Sequence, residues 1–140
     1  VSGYQLLPSA LGAGTAVTPD AGGGAYGSYA ALTTGVSSPI YLLGYAISTA
    51  TLRSRTYVIV NFATGAASEV SIATFRIPIV AADRGDGTSN FAFGDTYWLS
   101  PSIYIPASTR IAVRVAQNAA AADTFNVSIM YVNQSEVAHV

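Results

Sequence analysis

The sequence contains no cysteine and no lysine, and its only histidine is His139, one residue from the end of the chain. Without cysteine there is no disulfide, no thiol nucleophile and no thiolate ligand for a metal. A histidine at that position is not held by a rigid element, which disfavours a Ser-His-Asp arrangement. No two carboxylates lie two or four residues apart on one predicted strand. We therefore expect no enzymatic activity, no resident metal and no cofactor.

Charge is scarce as well. Charged residues make up 9% of the chain, against roughly 25% in typical soluble domains. The 6 basic residues are all arginine, they form no cluster, and the net charge is −1. Nucleic acid is therefore not an expected partner, because its backbone is bound by clustered positive charge. So few charges also favour a surface that is largely covered by partner proteins over one that is merely neutral and polar.

Long apolar runs are missing too. The best run, "IYLLGYAI" at 40–47, is eight residues long, whereas a membrane-spanning helix needs about 20. No stretch of basic residues followed by an apolar core opens the sequence, as a signal peptide would. Neither a membrane span nor a secretory leader is expected.

Residues 1–27 differ from the rest of the chain because they are rich in glycine, alanine and proline and show no sustained period. They nevertheless carry large apolar side chains on a segment that is too glycine-rich to build its own core. This combination predicts an extended arm that becomes ordered against another protein, with a frayed terminus as the alternative. The residues expected to make the contact are Tyr4, Leu6, Leu7, Leu11 and Val17.

From residue 28 onward the sequence predicts β-strands separated by turns rich in Gly, Ser, Asn and Asp. The expected strands are 28–33, 40–49, 55–63, 68–80, 96–106, 109–117 and 123–132. Short strands at this spacing, with no sustained helical pattern, indicate an antiparallel β-sandwich or barrel rather than βαβ units. We expect an all-β domain over 28–140.

Two strands point to a subunit interface. In "RIAVRVA", Arg110 and Arg114 lie on the face opposite the apolar residues. They are expected on the outer side of the strand, either solvated and ion-paired or in contact with carboxylates of a neighbouring subunit. The stretch "TYVIVNF" at 56–62 is apolar on both faces. Tyr57 and Ile59 are therefore expected under a subunit contact or a loop.

The loop "DRGDGTSN" at 83–90 offers two further possibilities. Arg84, Gly85 and Asp86 spell an adhesion tripeptide, and Asp83, Asp86, Asn90 and Asp95 could supply oxygens to calcium. Ordinary turn chemistry explains the same residues more simply. Among the aromatic residues, Tyr97 and Trp98 are neighbours on a strand and must face opposite ways, which argues against one shared sugar-binding platform.

Three stretches resemble small jelly-roll virion proteins of tailed bacteriophages. They are "GSYAALTTGVSSPIYLLGYAIS" (27–48), "SEVSIATFRIPIV" (68–80) and "IYIPASTRIAVRVAQNAAAADTFNVSIMYV" (103–132). The sharpest part is the Ile-Pro-Ala turn followed by the alternating strand, from Ile105 to Val115. A second landmark is the alanine-rich turn from Ala119 into the strand that reaches Tyr131. The chain departs from the family at Ser108, where glycine is usual, and at Tyr29, where tryptophan is common.

The resemblance implies an antiparallel jelly-roll sandwich that decorates or cements a phage head by binding the major capsid protein. It also implies a homotrimer located on the outer surface of the virion. In this interpretation residues 1–27, whose composition predicts an arm, make the contact with the capsid. An alternative is a tail or fibre-associated jelly-roll module that binds host surface glycan. A cellular adhesion or lectin domain is a third possibility, and it depends on the tripeptide at 84–86.

Overall fold

β-Strands make up most of the chain in the computed structural model, which describes residues 3–9, 14–21, 24–52, 56–79, 91–117 and 123–137. Within these ranges the elements are β1 (Gln5–Leu7), β2 (Thr15–Val17), β3 (Ala30–Thr33), β4 (Ile40–Leu52), β5 (Thr56–Thr64), β6 (Val70–Ile79), β7 (Phe91–Ile105), β8 (Ile111–Gln117), β9 (Phe125–Asn133) and α1 (Gln134–Val137). All seven expected strands are present. β1, β2 and the first part of β7 were not expected.

The strands form two antiparallel sheets. One has the order β1-β9-β4-β7, with β2 also paired to β9, and the other has the order β3-β8-β5-β6. From β2 onward, successive strands cross between the sheets except at the β5–β6 hairpin. A five-stranded and a four-stranded antiparallel sheet connected in this way form a jelly roll. The expected all-β antiparallel jelly-roll sandwich is confirmed.

The core lies between the sheets and follows the alternation of the strands. Ile111, Val113 and Val115 of β8 are fully buried, and they belong to the same core cluster as Val127 and Ile129 of β9. Each of these side chains contributes about 1.5–3 kcal/mol by leaving water. The inward face predicted for β8 from its apolar alternation is therefore confirmed.

An aromatic cluster centred on Tyr45 fills one part of this core. The Tyr45 ring lies 5.2 Å from Phe62, 5.0 Å from Phe75 and 5.3 Å from Tyr97, measured between centroids. Tyr45 is 1% exposed. Its burial raises the pKa of the phenol well above its usual value, and the neighbouring Tyr97 and Asp95 add to the effect. The role of Tyr45 is therefore to pack the core, although its side chain carries a hydroxyl.

The two described strands within residues 1–27 belong to the sandwich, which corrects the expectation of a separate arm in those places. β1 pairs with β9 through Gln5, Leu6 and Leu7, and β2 pairs with the preceding part of β9. Val17 is 2% exposed within the core, so it is not available to a partner. The physical reason is that β9 would otherwise leave unpaired backbone groups along its edge.

The only helix in the described ranges is α1, which is four residues long. It follows β9 directly, and the amide of Gln134 donates to the carbonyl of Pro39 at 2.9 Å. Within those ranges, no helix is both long and apolar enough to cross a membrane.

Candidate functional site

The outward side of the five-stranded sheet carries an exposed group of rings, and we call this side the aromatic face. Strand pairing places its residues opposite the inward-pointing core positions. The paired outward residues are Leu6, Ala16, Tyr41, Gly44, Ala46, Ser48, Gly94, Thr96, Trp98, Tyr104, Asn126, Ser128, Met130 and Val132. Tyr4, which precedes β1, lies on the same side because it is two residues from Leu6.

The centre of the aromatic face is the contact between Tyr4 and Trp98. Their ring centroids are 5.3 Å apart at an interplanar angle of 76°, an edge-to-face arrangement that aromatic pairs prefer. The strand register aligns Leu6, Met130, Gly44 and Trp98 in one row across four strands, and this row lies beneath the contact. Met130 is only 3% exposed although it points outward. The face is therefore a small, packed apolar layer.

Two more tyrosines extend the aromatic face into the next row. Tyr41 and Tyr104 are directly paired across β4 and β7, with ring centroids 5.6 Å apart. Tyr4, Trp98 and Tyr104 are 51%, 58% and 47% exposed, and they are three of the five most exposed large apolar side chains in the described structure. A grouping of that kind marks an interaction surface more often than an ordinary solvated sheet.

No charged residue occurs among the paired outward residues of the aromatic face. Tyr97, the neighbour of Trp98 in sequence, points to the opposite side and packs on Tyr45. The prediction that Tyr97 and Trp98 face opposite ways is confirmed. Burial raises the pKa of Tyr97, and the adjacent Asp95 carboxylate raises it further.

The outward side of the four-stranded sheet has a different chemistry, and we call it the arginine face. It brings together Tyr57, Ile59, Arg110 and Arg114, the four residues expected at a subunit interface, together with Arg76. Tyr57 is 42% exposed and Ile59 is half-buried. The apolar side of "TYVIVNF" that was expected to be covered by a partner or a loop is thus partly open in the isolated chain.

Asn61 is the centre of a hydrogen-bond network on the arginine face. Its Oδ1 accepts from the Tyr29 hydroxyl at 2.6 Å and from Nε of Arg114 at 3.0 Å. Its Nδ2 donates to Ser71, Thr74 and the carbonyl of Ala73 at 2.7, 2.9 and 3.3 Å. Asn61 is 2% exposed, so these bonds are at least partly shielded from water, which strengthens them.

The three arginines of this face are held in different ways. Arg110 donates to Glu69 at 3.0 Å and to the carbonyl of Gly65 at 2.8 Å. The expectation of an ion-paired outer side is therefore confirmed for Arg110. Arg114 lies 4.2 and 4.4 Å from the ring centroids of Tyr26 and Tyr29. Arg76 lies 3.9 Å from the ring centroid of Tyr57.

Several predicted positions lie outside the described residues. These are Leu11, Asp83, the tripeptide at 84–86, Asn90 and His139. Asp95 is described, and its carboxylate accepts from the amide of Thr96 at 2.8 Å. Within the described ranges no group of three or more His, Cys, Asp or Glu side chains could hold a metal ion. Of the arm residues, Tyr4 and Leu6 reach the aromatic face, while Leu7 packs against the core.

Sequence reasoning missed Tyr41 and Tyr104, although a signal for both was present. Each is flanked by two apolar residues of the core or its margin, Ile40 and Leu42 for the first and Ile103 and Ile105 for the second. Alternation on a strand therefore points both tyrosines outward. Arg76 and Asn61 gave no comparable signal, because their roles depend on which strands become neighbours.

No protein-family model matches the sequence, and no curated protein matches it. Two solved structures have a distant likeness in shape. One is a chain in the structure of infectious bursal disease virus Gt strain, with 8% identity, a TM-score of 0.42, and coverage of 93% of this chain and 32% of that chain. The other is from the Gx strain, with 13% identity, a TM-score of 0.40, and coverage of 87% and 30%. This chain thus spans about a third of the length of each. The jelly-roll assignment follows from the strand order of the chain itself.

Proposed function

We propose that the protein is a non-enzymatic structural component of a virion, and specifically a decoration or cement protein of a tailed-phage head. The observation that carries the proposal is the aromatic face, an uncharged sheet surface with three exposed rings. It agrees with the low charge of the chain and with the resemblance of three of its stretches to jelly-roll virion proteins. In this proposal the protein sits as a homotrimer on the outer surface of the particle.

The aromatic face would supply the contact with the major capsid protein. Tyrosine and tryptophan provide a large share of the binding energy in protein interfaces, where each buries about 150–250 Å². A standard interface of about 1,600 Å² in total could be centred on Tyr4, Trp98 and Tyr104. Because this face carries no charge, its contact would lose little affinity in salt. Of the segment expected to act as an arm, Tyr4 and Leu6 would remain contact residues, now presented by the sandwich.

The test has two parts. Quantitative mass spectrometry of purified particles gives the copy number, and hundreds of copies per particle are expected for a decoration protein. Rebinding to particles that lack the protein is then compared for the natural chain and for Trp98→Ala and Tyr104→Ala. We expect each variant to reduce the affinity by about tenfold or more, as loss of an interface anchor does.

Val70→Ser is the matched control, because Val70 is 65% exposed on the other sheet and lies outside the aromatic face. It should rebind like the natural protein. All variants are first compared by thermal unfolding, so that a loss of fold is not read as a loss of contact. Unchanged rebinding of both Trp98→Ala and Tyr104→Ala would contradict the proposed capsid contact.

A second candidate function is glycan binding by a tail or fibre-associated module. It is favoured by the exposure of Trp98, since the face of an indole or phenol ring can stack on a pyranose ring. A copy number of a dozen or fewer, with glycan binding lost in Trp98→Ala but kept in Tyr97→Phe, would support it. Tyr97 is an informative comparison because its ring packs in the core.

A further inference from the structure

All three arginines that the structure describes lie on the arginine face. It carries Arg76, Arg110 and Arg114, with Glu69 at its rim as the only described carboxylate in an ion pair there. The whole chain has a net charge of −1, so this face opposes the sign of the rest of the molecule. We infer that the arginine face is a docking surface for an acidic segment of a partner protein, and that Arg114 and Arg76 bind its carboxylates.

Arg110 is already neutralised within the chain, because it donates to Glu69 and to the carbonyl of Gly65. Arg114 and Arg76 differ from it in this respect. Among the described residues, no carboxylate lies within ion-pairing distance of either guanidinium. Among the described arginines, the positive charges of Arg114 and Arg76 are therefore the ones available to a partner.

The side chain of Arg114 is fixed in position before any partner binds. Its guanidinium lies against the rings of Tyr26 and Tyr29, and its Nε donates to Asn61. Asn61 is fixed in turn by its bonds to Tyr29, Ser71 and Thr74. Only Nε is committed, so the terminal amino groups keep their donors for a bidentate contact with a carboxylate. A side chain fixed in advance loses less entropy on binding.

Arg76 provides a second point of attachment on edge strand β6. It is exposed and stacks on Tyr57. β5 lies between β6 and β8. Because Arg76 pairs with Ile59 of β5 and Arg114 pairs with Asn61, the two arginines are offset by two residues along the strands. From the spacing of strands and residues, their Cα atoms are about 12 Å apart. An extended acidic segment with carboxylates four residues apart spans about 13 Å, which fits the pair.

The charge on this face distinguishes between possible partners. Nucleic acid requires many phosphate contacts, and two available guanidiniums are too few. A twofold contact between two copies of this chain through the same face would place arginines against arginines, which is unfavourable. A carboxylate-bearing segment of another protein matches both the sign and the spacing. This inference does not depend on the proposed function, because the aromatic face lies on the opposite side of the sandwich.

The test uses the full chain labelled with ¹⁵N and follows the Nε–Hε signals of its arginines during titration with hexaglutamate at low salt. We expect saturable shifts for Arg114 and Arg76, a smaller shift for Arg110, and loss of all three at high ionic strength. Hexalysine should cause none of these shifts. Absence of saturable shifts at Arg114 and Arg76 would overturn the inference without any variant having to fold.

Variants give the second readout. Arg76→Gln and Arg114→Gln should each weaken hexaglutamate binding by about fivefold, while Val70→Ser, elsewhere on β6, should bind like the natural chain. Hexagalacturonate, which carries sugar carboxylates, is titrated in parallel. Equal or tighter binding of hexagalacturonate would overturn the assignment to a protein segment. Self-association that disappears in Arg114→Gln would overturn it in favour of a second copy of the chain.

Discussion

Tyr4 and Trp98 meet edge to face, with 5.3 Å between their ring centroids, across a sheet in which β9 and β4 lie between β1 and β7. The contact joins the two outer strands of the five-stranded sheet above the row formed by Met130 and Gly44. It therefore fixes Tyr4 on the aromatic face.

A double-mutant cycle on Tyr4→Ala and Trp98→Ala should give a coupling free energy of about 0.5–1.5 kcal/mol, the usual value for such a ring pair. The measurement is urea unfolding of the natural chain, both single variants and the double variant. Tyr4→Ala combined with Tyr57→Ala is the control, because the two rings lie on opposite faces and should not couple. Strictly additive effects at Tyr4 and Trp98 would refute the contact.

Gly44→Ala should destabilise the fold by about 1–3 kcal/mol, as overpacking does. A Cβ at this position would collide with the carbonyl oxygen of Tyr97 and would lie 2.9 Å from Cε of Met130. Gly94→Ala is the matched control, because its Cβ would meet only Ser48, at 3.6 Å. Denaturant unfolding of the two variants checks the expectation, and equal stabilities would contradict the tight packing at Gly44.

Ser108→Gly should stabilise the protein by about 0.5 kcal/mol. Ser108 has a φ of 59°, a left-handed conformation that is unfavourable for residues with a Cβ and free for glycine. Part of the gain is lost because glycine makes the unfolded chain more flexible. Ser108→Ala keeps the Cβ and should show no gain in thermal unfolding. A destabilised Ser108→Gly would mean that the serine hydroxyl matters more than the backbone.

Asn61→Ala should cost about 1–3 kcal/mol, because it removes a buried amide that hydrogen-bonds to Tyr29, Arg114 and the Ser71–Thr74 segment. Thr74→Val removes only one of these partners and should cost about 1 kcal/mol. Urea unfolding measures both. In the NMR spectrum, Asn61→Ala should also shift the Nε–Hε signal of Arg114, which loses its acceptor. An unmoved Arg114 signal would show that Asn61 does not orient the guanidinium.

Stability should fall in alkaline solution because of Tyr45. Burial raises its pKa in the folded state, while in the unfolded chain it is about 10. Above that pH the unfolded state releases the proton and the folded state keeps it, so unfolding becomes more favourable as the pH rises. Urea midpoints between about pH 8 and about pH 11 should decline, and less steeply in Tyr45→Phe. Identical slopes would exclude Tyr45 as the cause.

The sequence predicted the fold well because strand alternation is a local property. β8 and β9 have apolar residues at every second position, and the structure buries those positions. Even the left-handed turn at Ser108 is present, although the serine there is a departure from the glycine expected by family resemblance. Alternation along a strand predicts the face of the sheet on which each side chain lies.

The faces themselves could not be assembled from the sequence, because strand order and register decide which side chains become neighbours. Tyr4 contacts Trp98 only because β1, β9, β4 and β7 lie side by side in one register. Val17 was misassigned for a related reason. Its segment has no recognisable period, and its burial comes from pairing with β9, the last strand of the sandwich.

If both proposed contacts form, the opposed faces would give the molecule two attachments that respond oppositely to salt. Apolar contact on the aromatic face persists or strengthens as kosmotropic salt is added. A carboxylate contact on the arginine face is screened within about 3 Å at 1 M ionic strength. A protein bound through both sides would therefore detach in a fixed order, releasing its acidic neighbour first while staying on the surface held by Tyr4 and Trp98.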